Sequence, residues 1–289
     1  METLDFYIQS FYKNAEFCLD DDLRFLYLYP KYDNTTEDNI VFPGFIFDNY
    51  FSPGLVRIRN EWKIEELMGR GTDLQKLMRL KKFAMNLLCF EGKKLENRRY
   101  DKFDCFETIR VAKEEGYALN CRYISLIFAQ ILLAAGFKAR WVACLPMELN
   151  YCECHCVVEV YIDTLNKWIV VDVALGLLYF DKHGQILNLR DIRSHVLDRE
   201  YMRINVESKE YFLYVQEYWV RHVFRFKYIS NNVFDMLRVP DKTYIYLNPK
   251  GFIVNNKENL NNDGGITKHI HFYNDKYFWD NNNVKTIEI

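Results

Sequence analysis

The sequence predicts an α+β fold, because three helical patterns come first and a series of strand patterns follows them. Apolar residues recur at helical spacing from Asp73 to Leu88. The strand patterns begin near Lys138 and are rich in Val, Ile and Tyr. This order is typical of helices that pack against an antiparallel sheet.

The second and third helices carry clear start and stop signals. Asp104 and Glu107 have the spacing of a capping box, and Gly116 is placed to end the second helix. The third helix runs from Ile124 to Ala135 and is almost entirely apolar, with Gly136 directly after it. A helix without a polar face is expected to run through the middle of a domain.

Three extended segments follow the apolar helix: Lys138–Leu145, Cys154–Ile162 and Lys167–Val173. The last two are separated by Asp163–Asn166, which predicts a hairpin loop. With this four-residue loop Ile162 pairs with Lys167, and the register of the whole hairpin follows.

The remaining chain predicts extensions around a core. We expect residues 1–70 to be an N-terminal extension with some strand content, residues 71–200 to be the core, and residues 201–289 to hold a helix and β-hairpins. The N-terminal interpretation rests on the apolar runs Leu23–Tyr29, Ile40–Phe47 and Leu55–Ile58. The C-terminal one rests on a helical pattern around Lys209–Ile229 and on turn signals at Asn248–Gly251 and Asn274–Asp275.

Composition excludes several classes of protein. A net charge of -2 and scattered basic residues give no reason to expect nucleic acid or a membrane as a partner. The first residues lack the basic and then apolar pattern of a signal peptide, so we expect a cytoplasmic protein. In a reducing compartment its 8 cysteines would be buried thiols, metal ligands or a nucleophile rather than a disulfide framework.

Cys121 is the candidate nucleophile, because it stands where the loop Gly116–Asn120 becomes the apolar helix. The free N–H groups and the dipole of a helix start stabilise a thiolate. A cysteine at this position is also compatible with plain packing, so the signal needs partners elsewhere in the chain.

His155 and Asp172 are the expected partners. In the predicted register Val157 lies opposite Asp172, which makes His155 and Asp172 diagonal neighbours on one face of the sheet. A carboxylate that holds an imidazole fixes its tautomer and stabilises its cationic form. Such an imidazole can take a thiol proton and return it to a leaving amine.

Two metal-site interpretations compete and are less favoured. Cys152, Cys154 and Cys156 surround His155 in the sequence, but on a strand they point away from it. Alternate residues of a strand are also about 6.8 Å apart, whereas zinc holds its sulfurs about 3.8 Å apart. His269 and His271 share one face of a later strand and are expected to be an exposed pair. We therefore expect neither a metal nor another cofactor.

Three motifs resemble the transglutaminase-like superfamily, in the same order and spacing. They are Asn120-Cys121-Arg122 with the helix through Gly136, then Cys154-His155-Cys156 with the strand through Tyr161, and Asn166-Lys167-Trp168 through Asp172. The segment Tyr179–Arg190 also resembles bacterial members. The resemblance covers about 73–196 and implies a papain-like core in which a nucleophile helix packs on an antiparallel sheet.

The resemblance implies a thiol-dependent acyl-transfer enzyme that acts on a peptide or protein amide. It implies that Cys121 is the nucleophile, His155 the general base and acid, and Asp172 the group that orients the base. Hydrolysis is preferred over transamidation. The oxyanion hole would use the backbone N–H of Cys121, with the Tyr117 hydroxyl as a guess for a second donor.

The alternative is a catalytically inactive interaction module with the same fold. Many members of the superfamily have Gly two residues before the Cys, an aromatic two residues after the His, and Pro after the Asp. Here those positions hold Leu119, Val157 and Val173.

Overall fold

The computed structural model describes residues 24, 26–33, 44–93, 104–147, 154–205, 209–236, 242–253, 268–279 and 284–286. None of the helices in these ranges combines the length and the apolar character needed to cross a bilayer. The helices are α1 Pro53–Glu61, α2 Ile64–Met68, α3 Asp73–Leu88, α4 Cys105–Glu115, α5 Cys121–Ala134, α6 Leu189–Leu197, α7 Lys209–His222 and α8 Asp275–Trp279.

Among the described residues, the strands form one main sheet and two small ones. The strands are β1 Phe45–Phe47, β2 Ala139–Leu145, β3 His155–Ile162, β4 Lys167–Val171, β5 Tyr179–Phe180, β6 Arg203–Ile204, β7 Arg225–Ile229, β8 Asn231–Asn232, β9 Thr243–Leu247, β10 Lys268–Phe272 and β11 Val284–Thr286. The main sheet has six strands in the order β10-β9-β7-β2-β3-β4.

The α+β prediction is confirmed, but the sheet is mixed rather than purely antiparallel. The strands β2, β3, β4, β7 and β9 pair antiparallel, whereas β10 pairs with β9 in parallel. The turn at Asn248–Gly251 therefore does not join two hairpin partners, and Asn274–Asp275 leads into α8. Strands from beyond residue 200 extend the same sheet as β2–β4, while the division into three regions stays a prediction.

Part of the N-terminal prediction is wrong, because the run Leu55–Ile58 is helical. Pro53 occupies the first turn of α1, where its missing N–H costs nothing. Leu55, Ile58 and Arg59 are buried, which is helical rather than alternating spacing. Residues 26–28 are also helical, whereas Phe45–Phe47 is a strand as expected; residues 40–43 lie outside the described ranges.

The core helices and the hairpin agree with the sequence. Helix α3 spans the predicted residues, Asp104 caps α4 through the N–H of Glu107, and α4 ends at Gly116 with φ +69°. The hairpin loop pairs Ile162 with Lys167 as predicted. The register that brings the ends of β3 and β4 together is therefore fixed by local sequence.

A buried ion pair ties the centre of the sheet together. The Arg140 guanidinium donates to Oε2 of Glu159 at 2.9 and 2.6 Å, and both side chains are fully buried. The other Glu159 oxygen accepts from the Leu189 N–H at 3.2 Å. The rings of Phe45 and Trp168 lie 4.6 and 4.3 Å from the guanidinium carbon. These hydrogen bonds and ring contacts offset the free-energy cost of burying the two charges.

Removing one member of this pair should be strongly destabilising. We expect Glu159→Gln to lower the free energy of unfolding by about 3–5 kcal/mol, because it leaves the guanidinium buried without its counter-charge. Urea unfolding measures the change. The exposed pair Arg57–Glu61 is the control, and Glu61→Gln should change stability little. Equal effects of the two substitutions would contradict the assignment.

Candidate active site

Cys121 is the first residue of α5, whose other end lies deep in the core. The Asn120 side chain caps the helix by accepting from the N–H of Tyr123 at 3.1 Å. From Tyr123 onward every residue of α5 is buried, whereas Cys121 itself is partly exposed. The helix therefore presents this thiol at the surface of the core while its own position is fixed by packing.

A helix start alone does not activate a thiol, as a second cysteine shows. Cys105 is the first residue of α4 and follows the capping residue Asp104. Its thiol is buried, and burial together with the charge of Asp104 raises its pKa. The pKa of the Cys121 thiol is shifted in the opposite direction, so the groups around Cys121 must cause this shift.

His155 and Asp172 meet at the ends of β3 and β4. Nε2 of His155 lies 2.6 Å from Oδ2 of Asp172, and both side chains are buried. Val158 pairs with Val171 in the structure, which is the predicted register. In this register His155 and Asp172 are diagonal neighbours, as predicted. Because Asp172 holds Nε2, the other ring nitrogen is left for the thiol.

The carboxylate of Asp172 is held by two further donors. Oδ2 also accepts from the Tyr179 hydroxyl at 2.9 Å, and Oδ1 accepts from the N–H of Leu175 at 3.1 Å. The backbone of Asp172 closes a tight turn with Leu177 through bonds of 3.1 and 2.8 Å. The buried Lys81 ammonium, on α3, donates to the Gly176 carbonyl in the same turn. Both carboxylate oxygens and the backbone of Asp172 are therefore held by hydrogen bonds.

Among the described residues, three lie close to the thiol of Cys121. Its sulfur lies 3.6 Å from the Cys154 carbonyl oxygen and contacts the side chains of Cys156 and His155. The hydrogen bond from the Cys156 thiol and then the bond and charge of His155 outweigh burial. Together they lower the pKa of Cys121 well below its usual value. The sulfur is therefore poised to be a thiolate.

The pKa of Cys121 is lowered, whereas that of His155 is raised. Burial alone would lower its pKa, but the charge and hydrogen bond of Asp172, helped by Cys121, raise it to about 10. A lowered thiol pKa beside a raised imidazole pKa favours a thiolate–imidazolium pair at neutral pH. This arrangement can perform nucleophilic attack followed by proton donation.

Helix α7 covers the imidazole. The rings of Tyr218, Trp219 and His222 lie 4.9, 6.0 and 6.0 Å from the His155 ring, centre to centre. Burial, and then the charge of His155, lower the pKa of His222 to about 3, so this second histidine stays neutral. The aromatic content of 209–229 was visible in the sequence, but nothing local indicated that it packs on residue 155.

Several other predicted site residues lie elsewhere or differ in detail. The backbone of Tyr117 pairs with Lys93, and its role as an oxyanion donor stays a prediction. His269 and His271 do share a face of β10, but they are half-buried and stack on Tyr246 rather than being exposed.

The possible zinc ligand Cys152 lies outside the described residues. Cys156 does alternate with His155 along β3, as expected. Within the described ranges no three His, Cys, Asp or Glu side chains are grouped so as to hold a metal ion.

Removing the Tyr179 hydroxyl should weaken the fold around Asp172. We expect Tyr179→Phe to lower the free energy of unfolding by about 1–3 kcal/mol, because a buried carboxylate oxygen loses one of its donors. Tyr161→Phe is the control, since its hydroxyl bonds to Asn166 at the surface and water can replace it. Denaturant unfolding of both variants decides, and equal stability of the Tyr179 variant and the parent would contradict this role.

The part of the chain that holds these residues is similar to a known protein family. Residues 66–173 match the family model of the transglutaminase-like superfamily, a range that contains Cys121, His155 and Asp172. No curated protein matches the chain. The crystal structure of a candidate cysteine protease from Cytophaga hutchinsonii is similar with 14% identity and a TM-score of 0.32. The match covers 54% of this chain and 50% of that one, so the chain spans about half of that protein's length.

Proposed function

We propose, from the transglutaminase-like core that the chain carries over residues 66–173, that it is a thiol-dependent acyl-transfer enzyme acting on an amide or peptide bond. Cys121 is the nucleophile, His155 the general base and acid, and Asp172 the orienting group. The observation that carries the proposal is the chain of contacts from the Cys121 sulfur through the His155 ring to Asp172, with the last step at 2.6 Å.

The reaction needs only these groups and a substrate. The Cys121 thiolate attacks the amide carbon, and the carbonyl oxygen takes the negative charge near the N–H groups of the helix start. The His155 imidazolium gives its proton to the leaving nitrogen, the C–N bond breaks, and a thioester and a free amine result. Water then adds to the thioester while His155 takes its proton, and the acid and the thiolate are released.

We favour hydrolysis over transamidation, because water needs no dedicated acceptor site. Trapping separates the two outcomes. With hydroxylamine as a competing amine, a thioester gives a hydroxamate, while in its absence an enzyme that hydrolyses gives the free acid. A chain that forms product only when an amine is supplied would be a transamidase.

The test of the proposal is labelling with a peptidyl electrophile that mimics an amide substrate, at neutral pH. We expect the full chain to be labelled at Cys121 and Cys121→Ala to remain unlabelled. Cys105→Ala is the matched control, because that thiol also begins a helix, but no histidine of the described residues is among the groups that shift its pKa. Equal labelling of Cys121→Ala and the parent would leave the alternative, a non-catalytic interaction module.

A further inference from the structure

Helix α3 buries a lysine on its apolar face. Four of the five buried residues of α3 are apolar, and the fifth is Lys81, which is only 5% exposed. Burying an ammonium costs free energy, so lysine is rarely buried unless a partner stabilises its charge. Burial accordingly lowers the pKa of Lys81, and the charge of Asp172 opposes this shift. The proposed reaction gives this buried cation no role.

The end of α3 contacts the turn that follows β4 along one stripe of side chains. The stripe consists of Lys81, Met85 and Cys89, which are four residues apart and therefore lie on one side of the helix. Lys81 Nζ donates to the Gly176 carbonyl, and the Cys89 sulfur lies 3.7 Å from the Val173 carbonyl oxygen. Met85 packs between them, so closely that a Cβ added at residue 176 would lie 2.5 Å from its Cε. The turn is thus seated on α3.

A neutral side chain also bonds this turn. Asn205 donates from Nδ2 to the Gly176 carbonyl at 3.4 Å, and its Oδ1 accepts from the N–H of Leu178 at 2.7 Å. An amide is therefore a sufficient partner for the carbonyl that Lys81 contacts. Because holding the turn does not require a positive charge, the charge of Lys81 needs another explanation.

The groups around the Asp172 carboxylate show where this charge acts. The His155 ring bonds to it from β3 and the Tyr179 hydroxyl from β5, while Lys81 attracts it from α3. Cys89 is a further titratable group near the carboxylate. Burial, and then the charge of Asp172, raise the pKa of Cys89 to about 11, so this thiol stays neutral. Lys81 thus gives the carboxylate a positive charge that is separate from His155.

A second cation is useful because the charge of His155 changes during the proposed reaction. While the ring is an imidazolium, it compensates the buried Asp172 carboxylate directly. Once the ring has given its proton to the leaving nitrogen, the carboxylate stands beside a neutral imidazole. A buried anion without a counter-charge is costly. The Lys81 ammonium remains charged throughout, so it can stabilise the carboxylate in both states of the ring.

We propose that Lys81 is a positioning residue of the site, which fixes the turn after β4 and keeps the Asp172 carboxylate ionised and directed at His155. The inference rests on the proposed function and assigns a fourth side chain to it. Lys81 acts through Asp172 and does not itself need to touch the substrate.

The pH at which Cys121 alkylation by iodoacetamide is half-maximal tests this role. In Lys81→Met the carboxylate is a less stable anion and supports the His155 imidazolium less well, so the pKa of the Cys121 thiol rises. We expect the half-maximal pH to increase, and the rate below it to fall about threefold to tenfold. Above it, where the thiol is ionised in both proteins, the rates should agree.

Three further variants separate charge from packing. Lys81→Gln can still donate to the Gly176 carbonyl but has no charge, so its half-maximal pH should also rise. Met85→Ala removes packing on the same turn without changing a charge, so it should lower the free energy of unfolding and leave the half-maximal pH in place. Lys82→Met, at the next and exposed position of α3, is the matched control and should resemble the parent.

A double variant tests whether the effect passes through Asp172. In an Asp172→Asn background, Lys81→Met should change the half-maximal pH of Cys121 little further, because residues that act as one unit are not additive. An equal shift in both backgrounds would mean that Lys81 acts on the thiol directly, and it would contradict the positioning role.

The outcomes separate the two proposals. Circular dichroism checks the fold of each variant, and Lys81→Gln, which keeps a donor, takes the place of Lys81→Met if that variant does not fold. A parent that reacts well below an ordinary thiol pKa, with Lys81 variants that share its half-maximal pH, would overturn the role of Lys81 and leave the enzymatic proposal standing. If Cys121 of the parent reacts no faster than Cys105, the thiol is not activated, and both proposals fail.

Discussion

Replacing His155 with Gln should lower kcat/KM at least about 10³-fold, the largest effect we expect besides loss of the thiol itself. The ring has two roles. In the proposed mechanism it stabilises the Cys121 thiolate by contact and charge, and it delivers the proton to the leaving nitrogen. Gln can occupy similar space and donate a hydrogen bond. However, its amide carries no positive charge to stabilise the thiolate, and it has no proton to transfer at neutral pH. The measurement is kcat/KM on a peptide identified through the labelling experiment.

A matched histidine variant makes this result specific. His183→Gln changes an exposed residue on the turn before Gln185, and we expect parental activity from it. Circular dichroism of both variants checks that the fold is retained. A His155 variant that keeps a tenth or more of the parent's activity would show that the thiol uses another base.

Asp172→Asn should lower kcat/KM by about 10²- to 10⁴-fold while leaving the backbone turn in place. The amide can still bond to neighbouring groups, but it lacks the charge that raises the pKa of His155 to about 10. Without that charge the folded-state pKa of His155 falls, so the alkaline limit of activity moves to lower pH. The imidazolium is then less stable, and the pKa of the Cys121 thiol rises, which moves the acid limit to higher pH.

The pH profile therefore distinguishes an orienting carboxylate from a merely structural one. In Asp172→Asn the active range should narrow from both sides, whereas a simple loss of stability would reduce activity without moving either limit. Asp163→Asn, at the exposed loop between β3 and β4, is the control and should keep the parental profile. An unshifted profile in the Asp172 variant would contradict its role.

Local sequence was sufficient for the parts of the site that depend on neighbours along the chain. The apolar run after the loop Gly116–Asn120 placed Cys121 at a helix start, although the predicted helix began at Ile124 and the Asn120 cap was found only in the structure. The loop of Asp163–Asn166 fixed the register of β3 and β4, so the sequence alone predicted that His155 and Asp172 share one face of the sheet. Both inferences use contacts that are short in sequence, where propensity and periodicity are informative.

Contacts between distant segments were not predictable in the same way. Tyr179 reaches Asp172 only because the chain turns back after β4, and α7 lies over His155 only through tertiary packing. The parallel pairing of β10 with β9 depends on how the chain returns to the sheet. The helix at Leu55–Ile58 was mistaken for extended chain because four apolar-rich residues are too few to show a period.

The cysteines around the site illustrate the same boundary. Strand alternation correctly placed Cys156 and His155 on opposite sides of β3. It did not reveal that the start of α5 lies where both side chains can contact Cys121, nor that the hydrogen bond of Cys156 would contribute most to lowering the pKa of the Cys121 thiol. The position of a helix relative to a strand end depends on tertiary packing, so no pattern in the nearby sequence predicts it.

The pH dependence of Cys121 alkylation by iodoacetamide tests the central claim most directly, since only the thiolate reacts. The modified peptide is quantified by mass spectrometry from about pH 4 to about pH 10, with Cys105 as the internal comparison. A thiol ionised beside an imidazolium predicts that Cys121 reacts rapidly well below its ordinary pKa, while Cys105 stays unreactive. A Cys121 rate that rises only above about pH 8.5 and matches that of an unperturbed cysteine would contradict the account.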